Sequence, residues 1–173
     1  MLQGDSIRLI PLEEKHLQPL RALRNSPETS PFLTSIMPVN ESGQRVWFQN
    51  VSLDTSKMYF AVEDTQKKFI GFVRCDEWDR VNGSIRIGVD IVPQKRRQGY
   101  ATSVYRLLLT YLFHQLRIHR IWLLVLESNI PAMNLYKKIG FKKEGIQRQA
   151  IFRNNRYQDY VSMSILAPEY GNG

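Results

Sequence analysis

The sequence has few of the features that mark disulfide-bonded, secreted or membrane-spanning proteins. Its single cysteine, Cys75, excludes a disulfide framework and a zinc site built from several cysteines. No apolar run reaches the ~20 residues of a transmembrane helix, and the N-terminal segment lacks the unbroken apolar stretch of a signal peptide. We therefore expect a soluble protein of a reducing compartment, most simply the cytoplasm, with no bound metal.

Acidic residues are also scarce relative to basic ones. The 173 residues include 24 Lys and Arg against 16 Asp and Glu, a formal charge of +8. The excess lies between residues 86 and 160, where 14 basic residues oppose 4 acidic ones. This charge suits a solvated basic face, a polyanionic partner or a phosphate-bearing ligand. Because no RNA-recognition, zinc-finger or helix-turn-helix motif accompanies it, nucleic acid is the less favoured partner.

The order of the predicted elements indicates one α/β domain around a mixed sheet. Strands are predicted at 6–12, 57–63, 68–75, 84–92, 121–126, 141–152 and 156–166, and helices at 13–25, 41–51, 101–117 and 129–140. The polar stretch 76–83 has the composition of a turn. A strand, a long helix and a continuously apolar strand follow one another from residue 84 to residue 126. This order predicts a βαβ crossover with parallel strands.

The segment that joins the first of these strands to the helix has the chemistry of an anion site. It reads Gln-Lys-Arg-Arg-Gln-Gly-Tyr-Ala from Gln94 to Ala101. The first N–H groups of a helix are unpaired and attract anions, and Gly99 lets the backbone approach a phosphate closely. The segment is neither a Walker loop nor a dinucleotide fingerprint, because the glycine spacing of both is absent. The segment alone is compatible with a pyrophosphate site, which we predict here, and with a tight turn whose arginines are solvated.

Two motifs together resemble the GNAT superfamily of acetyl-CoA-dependent N-acetyltransferases. Arg96-x-x-Gly99-x-Ala101 is similar to its R/Q-x-x-G-x-G/A signature. The run from Asn129 through Tyr136 to Gly145 is similar to its second cofactor segment. The stretch 152–159 also resembles the spermidine and ribosomal-protein branches. The resemblance implies a GNAT-like fold over residues 1–173, with a cofactor-binding and closing half at 83–166 and an acceptor-specificity half at 1–82.

The resemblance also implies roles for individual residues. Those expected against acetyl-CoA are Ile91, Val92, Arg96, Arg97, Gln98, Gly99, Tyr100, Ala101, Thr102, Asn129, Ala132 and Asn134. A backbone N–H at Ile91 or Val92 would polarise the thioester carbonyl, as in an oxyanion hole. Tyr136 matches the general acid, which would protonate the departing CoA thiolate.

The general base stays open at this stage. Many relatives carry a glutamate at the position of Arg86, and arginine cannot serve as the base. Asp76, Glu77 and Asp90 are candidates, and a chain of water molecules is equally compatible with the sequence.

The expected acceptor is a primary amine, most simply that of a small molecule. Amino sugars, polyamines and protein N-termini all remain options. Arg74 and Arg86 stand where spermidine enzymes carry acids, and they would repel a polycation. The stretch 23–28, with Trp47 and Phe48, also resembles enzymes of amino-sugar nucleotides. The rival interpretation is a non-catalytic basic module that binds nucleic acid or ribosomes. The family resemblance favours a homodimer or larger homo-oligomer.

Overall fold

The computed structural model describes residues 1–171 and contains an eight-stranded mixed sheet flanked by helices. The strands are β1 (Leu2–Gln3), β2 (Ile7–Pro11), β3 (Met58–Asp64), β4 (Phe69–Asp79), β5 (Ser84–Ile91), β6 (Arg120–Leu126), β7 (Lys142–Arg153) and β8 (Arg156–Leu166). The α-helices are α1 (Leu17–Asn25), α2 (Glu41–Leu53), α3 (Tyr100–Thr110) and α4 (Ile130–Ile139). Residues 172 and 173, which the single-domain prediction includes, lie outside the described range.

The sheet has one pair of parallel strands, and these two strands are hydrogen-bonded over only part of their length. The strand order is β1-β2-β3-β4-β5-β6-β8-β7, and β5 and β6 are the parallel neighbours. Their register covers only Ser84–Arg86 against Arg120–Trp122, although both strands continue for several residues. The two strands therefore diverge toward their carboxyl ends. This confirms the predicted βαβ crossover and opens a gap inside the sheet.

Two apolar layers hold the helices against the faces of the sheet. On one face, α3 buries Val104, Leu108 and Leu109 against the central strands. On the other face, Leu20 and Leu23 of α1 pack on Phe72 of β4. Burying side chains of this size provides most of the favourable free energy of folding, about 1.5–3 kcal/mol each.

Two predicted boundaries were wrong. The helix expected over 101–117 is α-helical only to Thr110 and continues as a π-helical turn, Tyr111–Gln115, in which Leu116 N–H bonds to the carbonyl of Tyr111. The stretch 76–83, expected to be a turn, begins as strand, because β4 runs on to Asp79 through a bulge. The turn itself is shorter and is held by the Asp79 carboxylate, which accepts the N–H groups of Val81 and Asn82.

Candidate active site

The diverging strands β5 and β6 form the walls of a groove of about 580 Å³. Residues 87–91 of β5 form one wall and residues 123–126 of β6 form the other. The N-terminal ends of α3 and α4 also line it, and residues 29 and 32–34, from the loop between α1 and α2, contribute from the first half of the chain. Both halves of the sequence therefore contribute to one cavity.

The loop before α3 presents unpaired backbone donors to this groove. Arg97 and Gly99 both have left-handed backbone angles, with φ of 61° and 85°. No side chain caps α3, and the N–H groups of residues 99–102 have no acceptor within the described part of the chain. A Cβ at Gly99 would meet no atom within 4 Å. The loop is thus an open anion-binding concavity at a helix start.

The two arginines of this loop have different contacts. Arg96 donates from Nε to the carbonyl of Ile91 at 2.9 Å, from Nη1 to the carbonyl of Glu28 at 2.9 Å and from Nη2 to Thr29 Oγ1 at 2.6 Å. It thereby fastens the loop after α1 to the end of β5. The Arg97 side chain makes no hydrogen bond within residues 1–171 and lines the groove. Arg97 is therefore the arginine whose donors are available to a ligand.

The backbone of β5 offers a further donor. Val92 gives its N–H to the carbonyl of Ile70 at 2.9 Å, so Val92 is engaged within the sheet. Hydrogen-bonded and non-hydrogen-bonded pairs alternate along an antiparallel ladder. By this alternation the N–H of Ile91 points away from β4, toward the gap left by β6.

Asn129 begins α4 at the opposite wall. Its Oδ1 accepts the N–H of Ala132 at 3.3 Å, so Asn129 is the N-cap of α4. Its Nδ2 makes no hydrogen bond within the described residues, and Asn129 and Ala132 both line the groove. Gly140 ends the helix as predicted, with φ of 113°.

Two tyrosines meet at the base of the groove. The rings of Tyr105 and Tyr136 lie edge to face, with centroids 5.5 Å apart. The Tyr105 hydroxyl is buried and makes no well-aligned hydrogen bond within residues 1–171. Burial raises the pKa of Tyr136 above its usual 10.0 and raises that of Tyr105 further. Both phenols are therefore protonated at neutral pH.

The three candidate carboxylates have different surroundings. Asp76 accepts two hydrogen bonds from Arg86, at 2.9 and 3.3 Å, and lies 3.1 Å from Nε of Arg74. Glu77 pairs with Arg86 at 2.8 Å. Asp90 forms no salt bridge or side-chain hydrogen bond within residues 1–171 and lines the groove. Burial raises the pKa of Asp90 above 3.8, although Arg74, Arg24 and Arg96 oppose the shift.

The groove brings together most of the predicted site residues. Those that line it are Arg86, Asp90, Ile91, Arg96, Arg97, Gly99, Ala101, Thr102, Asn129, Ala132 and Tyr136; those that do not are Asp76, Glu77, Val92, Gln98, Tyr100 and Asn134. Gln98 instead donates to the carbonyl of Gln94, and Tyr100 packs beside Lys95. Sequence reasoning missed Tyr105 and Thr29, because nothing in their local sequence distinguishes them from ordinary core or loop residues.

Much of the basic excess lies elsewhere and holds the fold together. Arg120 pairs with Glu144, and Lys142 pairs with Glu169. Arg153 donates to the carbonyls of Leu33 and Thr34 at 2.8 and 2.9 Å and so fixes the loop that lines the groove. The positive charge is therefore only partly a ligand feature.

A mixed sheet that opens at its parallel pair, beside an uncapped helix start and a half-buried phenol, is the arrangement expected of an acyl-CoA-dependent acyltransferase. The family model described as an acetyltransferase (GNAT) domain matches residues 6–142. The chain belongs to this family. Within residues 1–171, no helix has the length and apolar character needed to cross a membrane, and no cluster of three or more His, Cys, Asp and Glu side chains could hold a metal.

Individual relatives agree with this membership. A spermidine N(1)-acetyltransferase of Vibrio cholerae is 36% identical over 119 residues, which cover 69% of each chain. One from Escherichia coli is 28% identical over 98% of this chain and 91% of its own length. The crystal structure of a Vibrio cholerae spermidine N-acetyltransferase in complex with CoA and spermine superposes with a TM-score of 0.91, at 30% identity, over 96% of this chain and 98% of that one.

The chain is therefore an acetyl-CoA-dependent N-acetyltransferase with the GNAT fold. This confirms the predicted fold class, activity and co-substrate. It does not favour the rival interpretation of a non-catalytic basic module.

Proposed function

We propose that this enzyme acetylates the primary amine of a small molecule inside the groove between β5 and β6. The proposal treats the chain as one catalytic domain. In this domain residues 83–166 hold the donor and residues 1–82 contribute the acceptor side. The observation that carries the proposal is the groove itself, in which an uncapped helix start, a free strand edge and a half-buried phenol face one cavity.

The donor's diphosphate would lie in the loop before α3. The open space at Gly99 and the unpaired N–H groups of residues 99–102 support this position. The free guanidinium of Arg97 adds charge-assisted hydrogen bonds. Asn129, with an unused Nδ2, would contact the donor from α4. Arg96 would act indirectly, by holding the loop in place.

The reaction requires a nucleophile, an oxyanion donor and an acid. The amine nitrogen of the acceptor attacks the thioester carbonyl carbon, the carbon–sulfur bond breaks and an amide forms. Ile91 would stabilise the developing oxyanion through its N–H, because the N–H of Val92 is already bonded to Ile70. Tyr136 would give its proton to the departing thiolate, and burial keeps that phenol protonated until then.

The acceptor amine must also lose a proton. Asp90 is the candidate we propose for this role, directly or through a water molecule. It lines the groove without a salt bridge, whereas Asp76 and Glu77 are both paired with Arg86. Burial raises the pKa of Asp90, which makes its carboxylate a stronger base.

Donor binding and acetyl transfer can be tested separately. Acetyl-CoA at one hundred times its dissociation constant should stabilise the protein by about 2.7 kcal/mol in thermal unfolding. A screen of small primary amines, with release of free CoA as the readout, should then identify acceptors. Absence of stabilisation at millimolar acetyl-CoA, or of CoA release with every amine, would refute the proposed function.

A further inference from the structure

Three charged side chains, Arg24, Arg74 and Asp90, act on one another electrostatically on the acceptor side of β4 and β5. Arg74 and Asp90 project from the same face of these neighbouring strands, whose register pairs Arg74 with Gly88 and Phe72 with Asp90. Arg24 of α1, the helix that covers this face, acts electrostatically on both. No salt bridge joins any two of the three. Within residues 1–171, Arg24 and Asp90 therefore have no direct ionic contact, and Arg74 has one, from its Nε to Asp76 at 3.1 Å.

Gly88 determines where the Arg74 guanidinium lies. A Cβ at Gly88 would stand only 3.0 Å from Nη2 of Arg74, so the guanidinium lies across the bare backbone of β5. Its Nε is 3.1 Å from Asp76 but lacks hydrogen-bond alignment. Its two terminal nitrogens make no hydrogen bond within the described residues, and Arg74 lines the groove. These two donors remain available to a ligand.

The other arginines near this face are already used. Arg86 is paired with Asp76 and Glu77, and Arg96 donates to Ile91, Glu28 and Thr29. After these pairings, the groove-lining charged groups that keep free polar atoms on this face are the terminal nitrogens of Arg74 and the carboxylate of Asp90; Arg97 is free in the loop before α3, and Arg24 on α1 does not line the groove. Arg24 is half-buried, and burial of its charge is unfavourable, as its lowered pKa indicates. Within residues 1–171, no direct contact compensates this charge. A bound anion would supply that contact.

The remaining groups are the complement of a zwitterion. A guanidinium matches the geometry of a carboxylate or a phosphate and binds it through two parallel hydrogen bonds. A carboxylate beside it suits an ammonium group. We propose that the acceptor is a small primary amine that also carries an oxyanion, with the oxyanion bound by the terminal nitrogens of Arg74, the charge of Arg24 adding to the attraction, and the amine facing Asp90. This inference rests on the proposed function and narrows its acceptor.

The same charges disfavour a polyamine. A trication such as spermidine needs several uncompensated carboxylates, but among the described residues that line the groove Asp90 is the only carboxylate, and the positive charges of Arg74 and Arg24 act on it. Like charges placed together in a half-buried site discriminate against the wrong ligand. The acceptor preference of this chain therefore differs from the one that the names of its spermidine-acetylating relatives describe.

The test compares amines that differ only in the anion. The substrates are an α-amino acid and its methyl ester, glucosamine 6-phosphate and glucosamine, and spermidine. We expect the anionic member of at least one pair to exceed its neutral partner about tenfold or more in kcat/KM, and to exceed spermidine. The first pair reports a carboxylate and the second a phosphate.

Variants then assign the preference to the two arginines. Arg74→Gln should lower the ratio of kcat/KM for the anionic substrate to kcat/KM for its neutral partner about 10- to 100-fold, and Arg24→Gln should lower the same ratio by less. Arg74→Lys keeps the charge but loses the two parallel donors of the guanidinium. Its kcat/KM for the anionic substrate should therefore lie between the values of the parent enzyme and of Arg74→Gln. Arg21→Gln is the matched control, because Arg21 lies one turn earlier on α1 and pairs with Glu41.

The outcomes separate the two proposals. Acetyl transfer with equal use of anionic and neutral partners, or with a preference for spermidine, overturns the zwitterion inference and leaves the proposed function standing. An anionic preference that survives in both Arg24→Gln and Arg74→Gln also overturns it. If none of the amines is acetylated, the proposed function itself is overturned.

Discussion

Arg86 donates a hydrogen bond from its Nε–H to the carboxylate of Asp76 across the β4–β5 ladder, at 2.9 Å. Its other contact, with Glu77 at 2.8 Å, places the guanidinium between two carboxylates. The charge that the sequence places at this position is thus compensated within the protein. Arg86 therefore gives no reason to exclude a polyamine, and that argument rests instead on the unpaired Arg24 and on the free terminal nitrogens of Arg74.

The Arg86–Asp76 pair should contribute to stability. Arg86→Gln leaves the buried Asp76 with Arg74 as its remaining ionic contact, and we expect it to lower the free energy of unfolding by about 1–3 kcal/mol. Chemical denaturation measures this change. In the double variant Arg86→Gln/Asp76→Asn part of the loss should return, because the buried carboxylate of Asp76 is then gone, although Glu77 and Arg74 each lose an ionic partner. Simple additivity would contradict the pairing.

Substitutions of Arg96 and of Arg97 should have different effects, the first on stability and the second on acetyl-CoA binding. Arg97→Ala should weaken acetyl-CoA binding about 10- to 100-fold without changing the melting temperature, because it removes charge-assisted hydrogen bonds to the ligand alone. Arg96→Ala should lower the melting temperature, because it removes three contacts between the α1 loop and β5. Calorimetry and thermal unfolding distinguish the two effects, and the reverse pattern would exclude this assignment.

Gly99 should be essential for the phosphate cradle. Gly99→Val places a side chain in open space, so it should leave the fold intact apart from about 1–2 kcal/mol of left-handed strain. Acetyl-CoA binding should fall at least about tenfold. Gly171→Val is the control, since Gly171 has a φ of 93° with equally open space but lies outside the groove. Unchanged affinity in Gly99→Val would refute the cradle.

Tyr136 should act in turnover rather than in binding. Tyr136→Phe should lower kcat about 10²- to 10⁴-fold and leave acetyl-CoA affinity nearly unchanged, because it removes only the proton donor. Tyr111→Phe tests whether any tyrosine near α3 has the same effect; Tyr111 packs against Phe60, away from the groove. Steady-state kinetics and calorimetry provide both readouts. Equal turnover in Tyr136→Phe would remove this phenol from the mechanism.

Asp90 should impair stability while it supports activity. Its pKa is raised in the folded state, so the charged form destabilises the fold at pH values above that pKa, and the penalty disappears as the pH falls toward 3.8. Asp90→Asn should therefore raise the free energy of unfolding at pH 7 and lose that gain near pH 4, while kcat falls. The exposed Asp5→Asn is the control. A variant less stable at pH 7 than the parent would show that the nearby arginines dominate.

The sequence predicted the fold class because its signals are local. The alternating and apolar runs determine strands and helices, Asn129 and Gly140 define the ends of α4 by capping chemistry, and the order of elements from residue 84 to residue 126 leaves a parallel crossover as the natural topology. The predicted ends of helices and strands were wrong where the backbone hydrogen bonding is unusual. The π-helical turn after Thr110 and the bulge in β4 leave no clear pattern in the residues.

The family pattern at Gly99, its basic neighbours and Tyr136 could be recognised from the sequence alone. Each of the two motifs that contain these residues is contiguous in the chain. Which charges remain free was decided by the tertiary structure alone. Arg96 and Arg97 are adjacent in sequence, yet one is bonded to a loop 67 residues away and the other faces the groove. Arg24, Arg74 and Asp90 are far apart in the chain and meet only when α1 packs on the sheet. Pairing depends on distances between elements, and those distances are set by packing.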